Sequence, residues 1–256
     1  MIGTLLKPDG GTVSIDGYTL GKDDNQIRSI LGTVFQDHVL DNLLSVKENL
    51  ITRGSFYYSN RTDLLAAFHH AAQITGVTEY LDRPYGKLSG GQKRRSDIAR
   101  ALVSSPKILI LDEPTTGLDP HTRQDVWQAI EQLKNEKNMT IFLTTHYMEE
   151  AAKADYVVVI EKGRIVAKGT PAEIKEQYSS DHLILYPSKM EEVIAILKNL
   201  ELSYNIKVDT VTVELESTLK ALPILERCKD MLRGFQVVEG NMDDAFIAIT
   251  GKELQA

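Results

Sequence analysis

Ile108-Leu109-Ile110-Leu111-Asp112-Glu113-Pro114 is the stretch on which the reading of the fold turns. Four consecutive apolar residues suit a strand buried on both faces of a parallel sheet. The strand ends in two adjacent carboxylates, which are costly at the rim of a core unless they serve a purpose. Ligands of open α/β sheets collect beyond the carboxyl ends of the strands, and Asp112 and Glu113 stand there. Asp112 suits a place in a Mg²⁺ shell, held directly or through water. Glu113, one residue on and pointing the other way, suits a base that orients or deprotonates a water.

Working outward, Leu88-Ser89-Gly90-Gly91-Gln92 opens a helix expected from Gly91 to Ser104. Glycines before a helix let backbone N–H groups approach an anion, and the helix dipole favours negative charge there. Taken alone, the motif is equally a serine N-cap followed by a glycine turn. Two further strands, Ile30 to Phe35 and Met139 to Thr145, lead to Gln36 and His146. A parallel sheet would bring both residues to the edge that carries Asp112. Gln36 then becomes a candidate ligand for the metal or the attacking water, and His146 a candidate γ-phosphate contact. Asp119 follows Gly117-Leu118 in a turn close behind the carboxylate pair.

The rest of the first 178 residues alternates in the same manner. Thr12 to Ile15 reads as a strand closed by the turn pair Asp16-Gly17. Residues about 41 to 86 turn helical, with Leu64, Leu65, Phe68, Ala71 and Ala72 on one face. A helix runs from Gln124 to Asn135, and a hairpin joins Tyr156–Ile160 to Arg164–Lys168 through Lys162-Gly163. Thr170-Pro171-Ala172-Glu173 is a capping box with proline at the first helical position. Strands alternating with helices give α/β architecture. From His182 the order changes to strand 182–186, helix 189–200, strands 205–209 and 210–216, helix 218–233 and strand 235–239. Ser188 with Glu191 offers a second capping box. This βαββαβ order matches the ferredoxin-like arrangement, and a short helix from Met242 to Thr250 closes the chain. The polar stretch from Tyr178 to Asp181 marks the expected boundary between domains 1–178 and 182–256.

Composition narrows the function classes. The net charge of −7 argues against nucleic acid as a partner. One cysteine, Cys228, permits no intramolecular disulfide and fits a reducing compartment. No apolar run approaches the roughly 20 residues needed to cross a bilayer. Lys7-Pro8-Asp9-Gly10 interrupts any signal-peptide pattern. A protein of this kind that works at a membrane sits on its cytoplasmic face and borrows its span from a partner. His69-His70 and Phe56-Tyr57-Tyr58 are expected at the surface and in packing, since adjacent histidines point to different helix faces. Cys228 is expected as a buried structural thiol, although Arg227 and Lys229 flank it.

In this order the motifs resemble the ATP-binding cassette. Gln36 matches its Q-loop glutamine, Leu88 to Gln92 the signature, and Ile108 to Glu113 the Walker B segment. Gly117-Leu118-Asp119 matches the D-loop and His146 the switch histidine. Lys93-Arg94-Arg95 and Thr115 to Pro120 look like ABC-2-type exporters of the daunorubicin-resistance kind, and Met242 to Gly251 is similar to the segment that ends those ATPases. The resemblance implies a P-loop NTPase-like fold, a RecA-like sheet with a helical subdomain at about 41–104. It implies ATP and Mg²⁺ as cofactors and a second cassette packed head to tail, in a homodimer or heterodimer. It also implies a membrane permease that chooses the cargo, multidrug or antibiotic efflux, and a place at the inner face of the cell membrane. Asp112 and Gln36 would serve the metal, and Glu113, His146 and Gln36 the hydrolysis. Ser89, Gly90, Gly91, Gln92 and Asp119 would serve the nucleotide, with Ser89 and Gly91 acting in trans on the partner's γ-phosphate.

The sequence departs from that pattern in one large respect: no G-x-x-x-x-G-K-[ST] occurs in it. In the family, the P-loop lysine, the Mg²⁺-binding Ser/Thr and the adenine-stacking aromatic precede the equivalent of Met1. The resemblance therefore implies an N-terminally truncated cassette, whose sheet lacks the strand feeding the P-loop and shows an exposed edge. Three explanations stand side by side: a longer protein, a degenerate subunit that donates only its signature to a partner's site, and a remnant that no longer binds nucleotide. The chain alone is expected to hydrolyse Mg-ATP negligibly. A soluble cassette ATPase of translation or DNA repair is a further alternative, but neither a second cassette nor a long coiled coil is present. Ser96 stands where an apolar residue is commoner in the family, with a slight effect on helix packing expected.

Overall fold

The computed structural model describes residues 1–137 and 139–251. The chain forms two compact units, residues 1–146 and 147–256. In the first, β1 (Ser14–Ile15) and β2 (Tyr18–Thr19) form a small antiparallel hairpin. Its turn residues Asp16 and Gly17 both have positive φ, 50° and 83°, the combination that suits the twist of a two-residue hairpin. Helix α1 (Asp24–Ile30) follows and leads directly into β3 (Leu31–Val34). The sequence pattern places the start of a strand at Ile30, whereas the structure ends a helix there. A seven-residue helix that buries only Ile27 offers no apolar period to detect.

The helical region consists of α2 (Val46–Gly54), α3 (Arg61–Ile74) and short 3₁₀ turns at Val77–Tyr80 and Tyr85–Lys87. Ser45 and Glu48 form a capping box at the start of α2, and Asn60 caps α3. Leu64, Phe68, Ala71 and Ala72 are buried along one stripe of α3. Helix α4 (Gly90–Leu102), β4 (Ile108–Asp112), α5 (Pro120–Lys137) and β5 (Thr140–Thr144) complete the unit. The sheet is parallel in the order β3-β4-β5, with Val34 opposite Leu111 and Asp112 opposite Thr144. Both β3 and β5 are edge strands.

Burial on both faces of β4 is not what the structure shows. Leu109 and Leu111 are fully buried in the main core, with Val34, Phe68, Ile98 and Leu133. Ile108 and Ile110 on the opposite face are half-buried against Ile15, Ile27 and Leu31. Beside them Phe142 is 51% exposed. One face of the sheet carries the core, and the small β1–β2 and α1 cluster covers the other only in part.

In the second unit, α6 (Met148–Ala151) precedes the hairpin of β6 (Val157–Glu161) and β7 (Arg164–Gly169). Thr170 caps α7 (Pro171–Tyr178) through the expected box with Glu173. The remaining elements are β8 (Asp181–Pro187), α8 (Met190–Asn199), β9 (Tyr204–Lys207), β10 (Thr210–Leu215), α9 (Ala221–Cys228), β11 (Leu232–Val238) and α10 (Met242–Thr250). The antiparallel sheet order β11-β8-β10-β9 places the fourth strand beside the first and the third between first and second, as in a ferredoxin-like unit. Residues 252–256 of the expected C-terminal domain lie outside the described residues. Leu183, Leu185, Val211 and Val213 pack against Val193, Leu197, Ile224 and Cys228. Burial pushes the Cys228 thiol pKa up. Met242 and Ala245 of α10 join Met148, Ala151 and Ile174 in a separate small core.

The box expected at Ser188 does not form. The N–H groups of Ser188 and Lys189 both donate to Met231 O, and the N-cap falls on Lys189, one residue later. Glu191 then lies at the second helical position, out of register for reciprocal capping. Among the described residues no helix is long and apolar enough to cross a membrane.

Candidate functional site

The in-register parallel pairing of β3, β4 and β5 sets their carboxyl ends side by side. The Thr144 hydroxyl donates to Asp112 Oδ1 at 2.6 Å and accepts the Glu113 N–H at 3.1 Å. Glu113 itself has φ +44°, a left-handed conformation that costs a non-glycine residue of order 1–3 kcal/mol. That bend takes the chain off the strand just before Pro114. The Glu113 carboxylate accepts from Gln36 Nε2 at 3.3 Å and from the Thr116 hydroxyl at 3.1 Å. Its other oxygen lies 3.6 Å from His146 Nδ1. Gln36, Glu113 and His146, each predicted at the end of a different strand, therefore meet in one cluster.

Helix α4 supports this cluster from below with buried charge. Arg94, only 4% exposed, donates to Phe35 O at 2.6 Å, Gln36 O at 3.1 Å and Glu113 O at 3.4 Å. One guanidinium thus ties the Gln36 loop to the bend at Glu113. Arg100 donates to Thr33 O on β3. Burial lowers the pKa of both guanidinium groups, and the Asp97 charge opposes the shift. Asp97 accepts from both the Tyr85 hydroxyl, at 3.1 Å to each oxygen, and His38 Nδ1 at 2.5 Å. Burial, with the Asp97 charge second, raises the Tyr85 hydroxyl pKa. His38 lies two residues beyond Gln36, so Asp97 holds the far side of the same loop.

The glycine-opened start of α4 is a second cluster. Ser89 is its N-cap: the Gln92 N–H donates to Ser89 Oγ at 3.3 Å and the Ser89 N–H to Gln92 Oε1 at 3.2 Å. Ser89 and Gly90 are exposed, and Gly91 is buried. Asp119 takes the corresponding place at the start of α5, accepting the Thr122 N–H at 3.0 Å and the Thr122 hydroxyl at 2.6 Å. Those two bonds, the hydroxyl first, lower the pKa of the exposed Asp119 carboxyl. Arg94, on the same helix as the glycines, links this cluster to the first. Ser96, fully buried, donates its hydroxyl to Gln92 O at 2.8 Å, so its polarity is absorbed within α4.

An open cleft of about 450 Å³ borders the first cluster, lined by Thr33, Ile110, Asp112 and Thr144 among others. Asp112, Glu113 and Gln36 offer the hard oxygen donors that Mg²⁺ takes. Among the described residues no three His, Cys, Asp or Glu side chains gather to enclose a metal alone. The donor set fits the metal, and the start of α4 fits an anion. A phosphate cradle of the G-x-x-x-x-G-K-[ST] kind has no counterpart in the sequence.

Sequence reasoning missed Arg94, Asp97, Arg100, His38, Thr144 and Thr116. For the first three a signal existed: charges at intervals of three share the helix face of buried Ile98 and Ala101. For His38 and the threonines no local pattern announces the partner.

A parallel sheet with a carboxylate pair, a glutamine and a histidine at its carboxyl edge defines an α/β nucleotide-binding cassette. Residues 1–116 match the family model described as ABC transporter. The chain is 34% identical to the daunorubicin/doxorubicin resistance ATP-binding protein DrrA of Streptomyces peucetius, over 98% of this chain and 79% of that protein. It is also 34% identical to the Nod factor export ATP-binding protein I of Burkholderia orbicola strain AU 1054, over 98% and 82%. Among solved structures it is similar to cbiO1 from Clostridium perfringens, part of the ABC transporter complex cbiONQ. That match has a TM-score of 0.64, 28% identity, and covers 78% of this chain and 77% of the other. The dimeric, post-hydrolysis ATP-binding cassette MJ0796 bound to ADP and Pi matches with a TM-score of 0.58 and 28% identity, over 66% and 76%. The chain belongs to the ABC transporter family of ATP-binding proteins.

Proposed function

We propose that this chain is the ATP-binding subunit of an ABC-2-type exporter, working at the inner face of the cell membrane against a permease that selects the cargo. The observation that carries the reading is the meeting of Gln36, Glu113 and His146 at three adjacent strand ends, 3.3 to 3.6 Å apart. Export rests on similarity to DrrA and the Nod factor export ATP-binding proteins over 97–100% of the chain, and drugs or antibiotics as the cargo class rest on the similarity to DrrA. The cassette proper extends to about residue 178, and the four-stranded sheet from 182 is an appendage whose last helix returns to pack on α6 and α7.

In this reading Asp112 and Gln36 would hold Mg²⁺, and His146 would contact the γ-phosphate. Glu113 orients the attacking water and accepts its proton. Bound Mg-ATP supplies the phosphoanhydride bond and the charge neutralisation. Gln36 and the Thr116 hydroxyl hold the Glu113 carboxylate in place, and Arg94 fixes the backbone on which both Gln36 and Glu113 stand. Ser89, Gly90, Gly91, Gln92 and Asp119 face the nucleotide of a second cassette, as the N-terminus of α4 favours an anion. Because the sequence has no G-x-x-x-x-G-K-[ST], the chain alone is expected to hydrolyse Mg-ATP negligibly, and a degenerate subunit that only donates its signature in trans is the alternative reading.

Purification of the tagged chain from detergent-solubilised membranes of its source cells tests the reading. A polytopic permease and a cassette partner are expected in stoichiometric amounts. Recovery only with ribosomes or with DNA-repair proteins would overturn it.

A further inference from the structure

The two signature glycines do not owe their identity to backbone conformation. Neither Gly90 nor Gly91 has a positive φ. Space separates them. A side-chain methyl at Gly90 would meet Leu118 Cδ2 at 3.6 Å, an ordinary contact. One at buried Gly91 would overlap the Thr122 methyl carbon Cγ2, with Thr122 Cβ and Oγ1 at 3.3 and 3.5 Å. The same Thr122 donates its hydroxyl and its N–H to the two carboxylate oxygens of Asp119. One side chain therefore fills the space left bare at Gly91 and fixes the carboxylate of the next loop.

We propose that Thr122 is a positioning residue that locks the Asp119 loop to the start of α4. Its methyl keys into Gly91, and its hydroxyl sets the Asp119 carboxylate. The bare Cα at Gly91 is then required inside this chain, before any ligand arrives. The consequence for hydrolysis rests on the nucleotide reading of Ser89, Gly91 and Asp119. The lock itself does not, and its test uses no nucleotide.

Trp127, the single tryptophan, lies buried on α5 five residues beyond Thr122, so its fluorescence reports unfolding of this unit. Gly91→Ala is expected to lower the melting temperature on the order of 5 °C, as overpacking does. Thr122→Ser keeps the hydroxyl and removes the methyl, leaving the nearest atom at 3.3 Å. The double variant should recover most of the loss, while Thr122→Ser alone, which leaves the space at Gly91 unfilled, should lose less than Gly91→Ala. Thr122→Val keeps the methyl and removes the hydroxyl. Carbon-13 NMR titration should then show the Asp119 carboxyl pKa rising in Thr122→Val and staying low in Thr122→Ser. A harmless Gly91→Ala, a double variant no better than Gly91→Ala, or an Asp119 titration unmoved by Thr122→Val would each overturn the lock. If Gly91→Ala fails to fold, a folded double variant supports it and an unfolded one overturns it.

Discussion

Helix α4 sets Arg94, Asp97 and Arg100 beneath the surface, whereas α8 and α9 bury Val193, Leu197, Ala221, Ile224 and Cys228. The two regions solve the same packing problem with different chemistry. Under the four-stranded sheet, apolar side chains leave water and need no specific partner. Under the parallel sheet, each buried charge must find a partner or carry a desolvation penalty. The partners it finds are the carbonyls of Thr33, Phe35, Gln36 and Glu113, together with His38 and Tyr85. Those carbonyls belong to the strand, loop and bend that carry the candidate chemistry. The contrast teaches that α4 holds its site by directed bonds, while α8 and α9 hold a sheet by area alone.

Removing the centre of the directed network should produce the largest effect. Asp97→Ala leaves the buried Tyr85 hydroxyl and His38 without their acceptor and removes the charge that favours the Arg94 and Arg100 guanidinium groups. A buried donor left unsatisfied costs about 1–3 kcal/mol, more beside charge. Urea denaturation followed by Trp127 fluorescence reads this directly, and a loss below about 1 kcal/mol, the scale of an ordinary substitution, would erase the distinction between the two regions.

Alkaline pH sharpens the contrast through Tyr80, whose ring lies 5.7 Å from the Arg95 guanidinium. Burial pushes its hydroxyl pKa up from 10.0 to about 12, with Arg95 opposing. A raised folded pKa means that the unfolded chain gives up this proton first. Its contribution is whole below pH 10 and is lost as pH climbs toward about 12. The loss is on the order of 2 kcal/mol. Tyr80→Phe should flatten the fall in stability over that window; two parallel curves would remove Tyr80 from the account.

The smallest effect separates a cap that forms from one that does not. Thr170→Ala should cost about 1 kcal/mol, since its hydroxyl accepts the Glu173 N–H. Ser188→Ala should change stability by a few tenths at most, because the backbone N–H, not the side chain, makes the bond there. Circular dichroism melts of the two variants should differ accordingly, and equal losses would contradict the capping assignment.

The same contrast explains what could be read from the sequence. Thr170 with Pro171 and Glu173, the Lys162-Gly163 hairpin and the βαββαβ order are local patterns, and the structure forms each of them. Gln36, Asp112, Glu113 and His146 were legible for a topological reason: a parallel sheet gathers the carboxyl ends of its strands. The network behind them was not, because Asp97 meets His38 across 59 positions and Arg94 meets Gln36 across 58. Nor was the half-open face of β4, since four apolar residues in a row carry no mark of how much cover each face receives. At Ser188, a one-residue shift set by Met231 O defeated a correct local motif.

Mg-ATP hydrolysis by the purified chain alone, wild type against Glu113→Gln, tests the central claim most directly. The account predicts background rates for both, because no G-x-x-x-x-G-K-[ST] accompanies the proposed cluster of Gln36, Glu113 and His146 in this sequence. A robust wild-type rate that Glu113→Gln abolishes would contradict it and would place a complete hydrolytic site within these 256 residues.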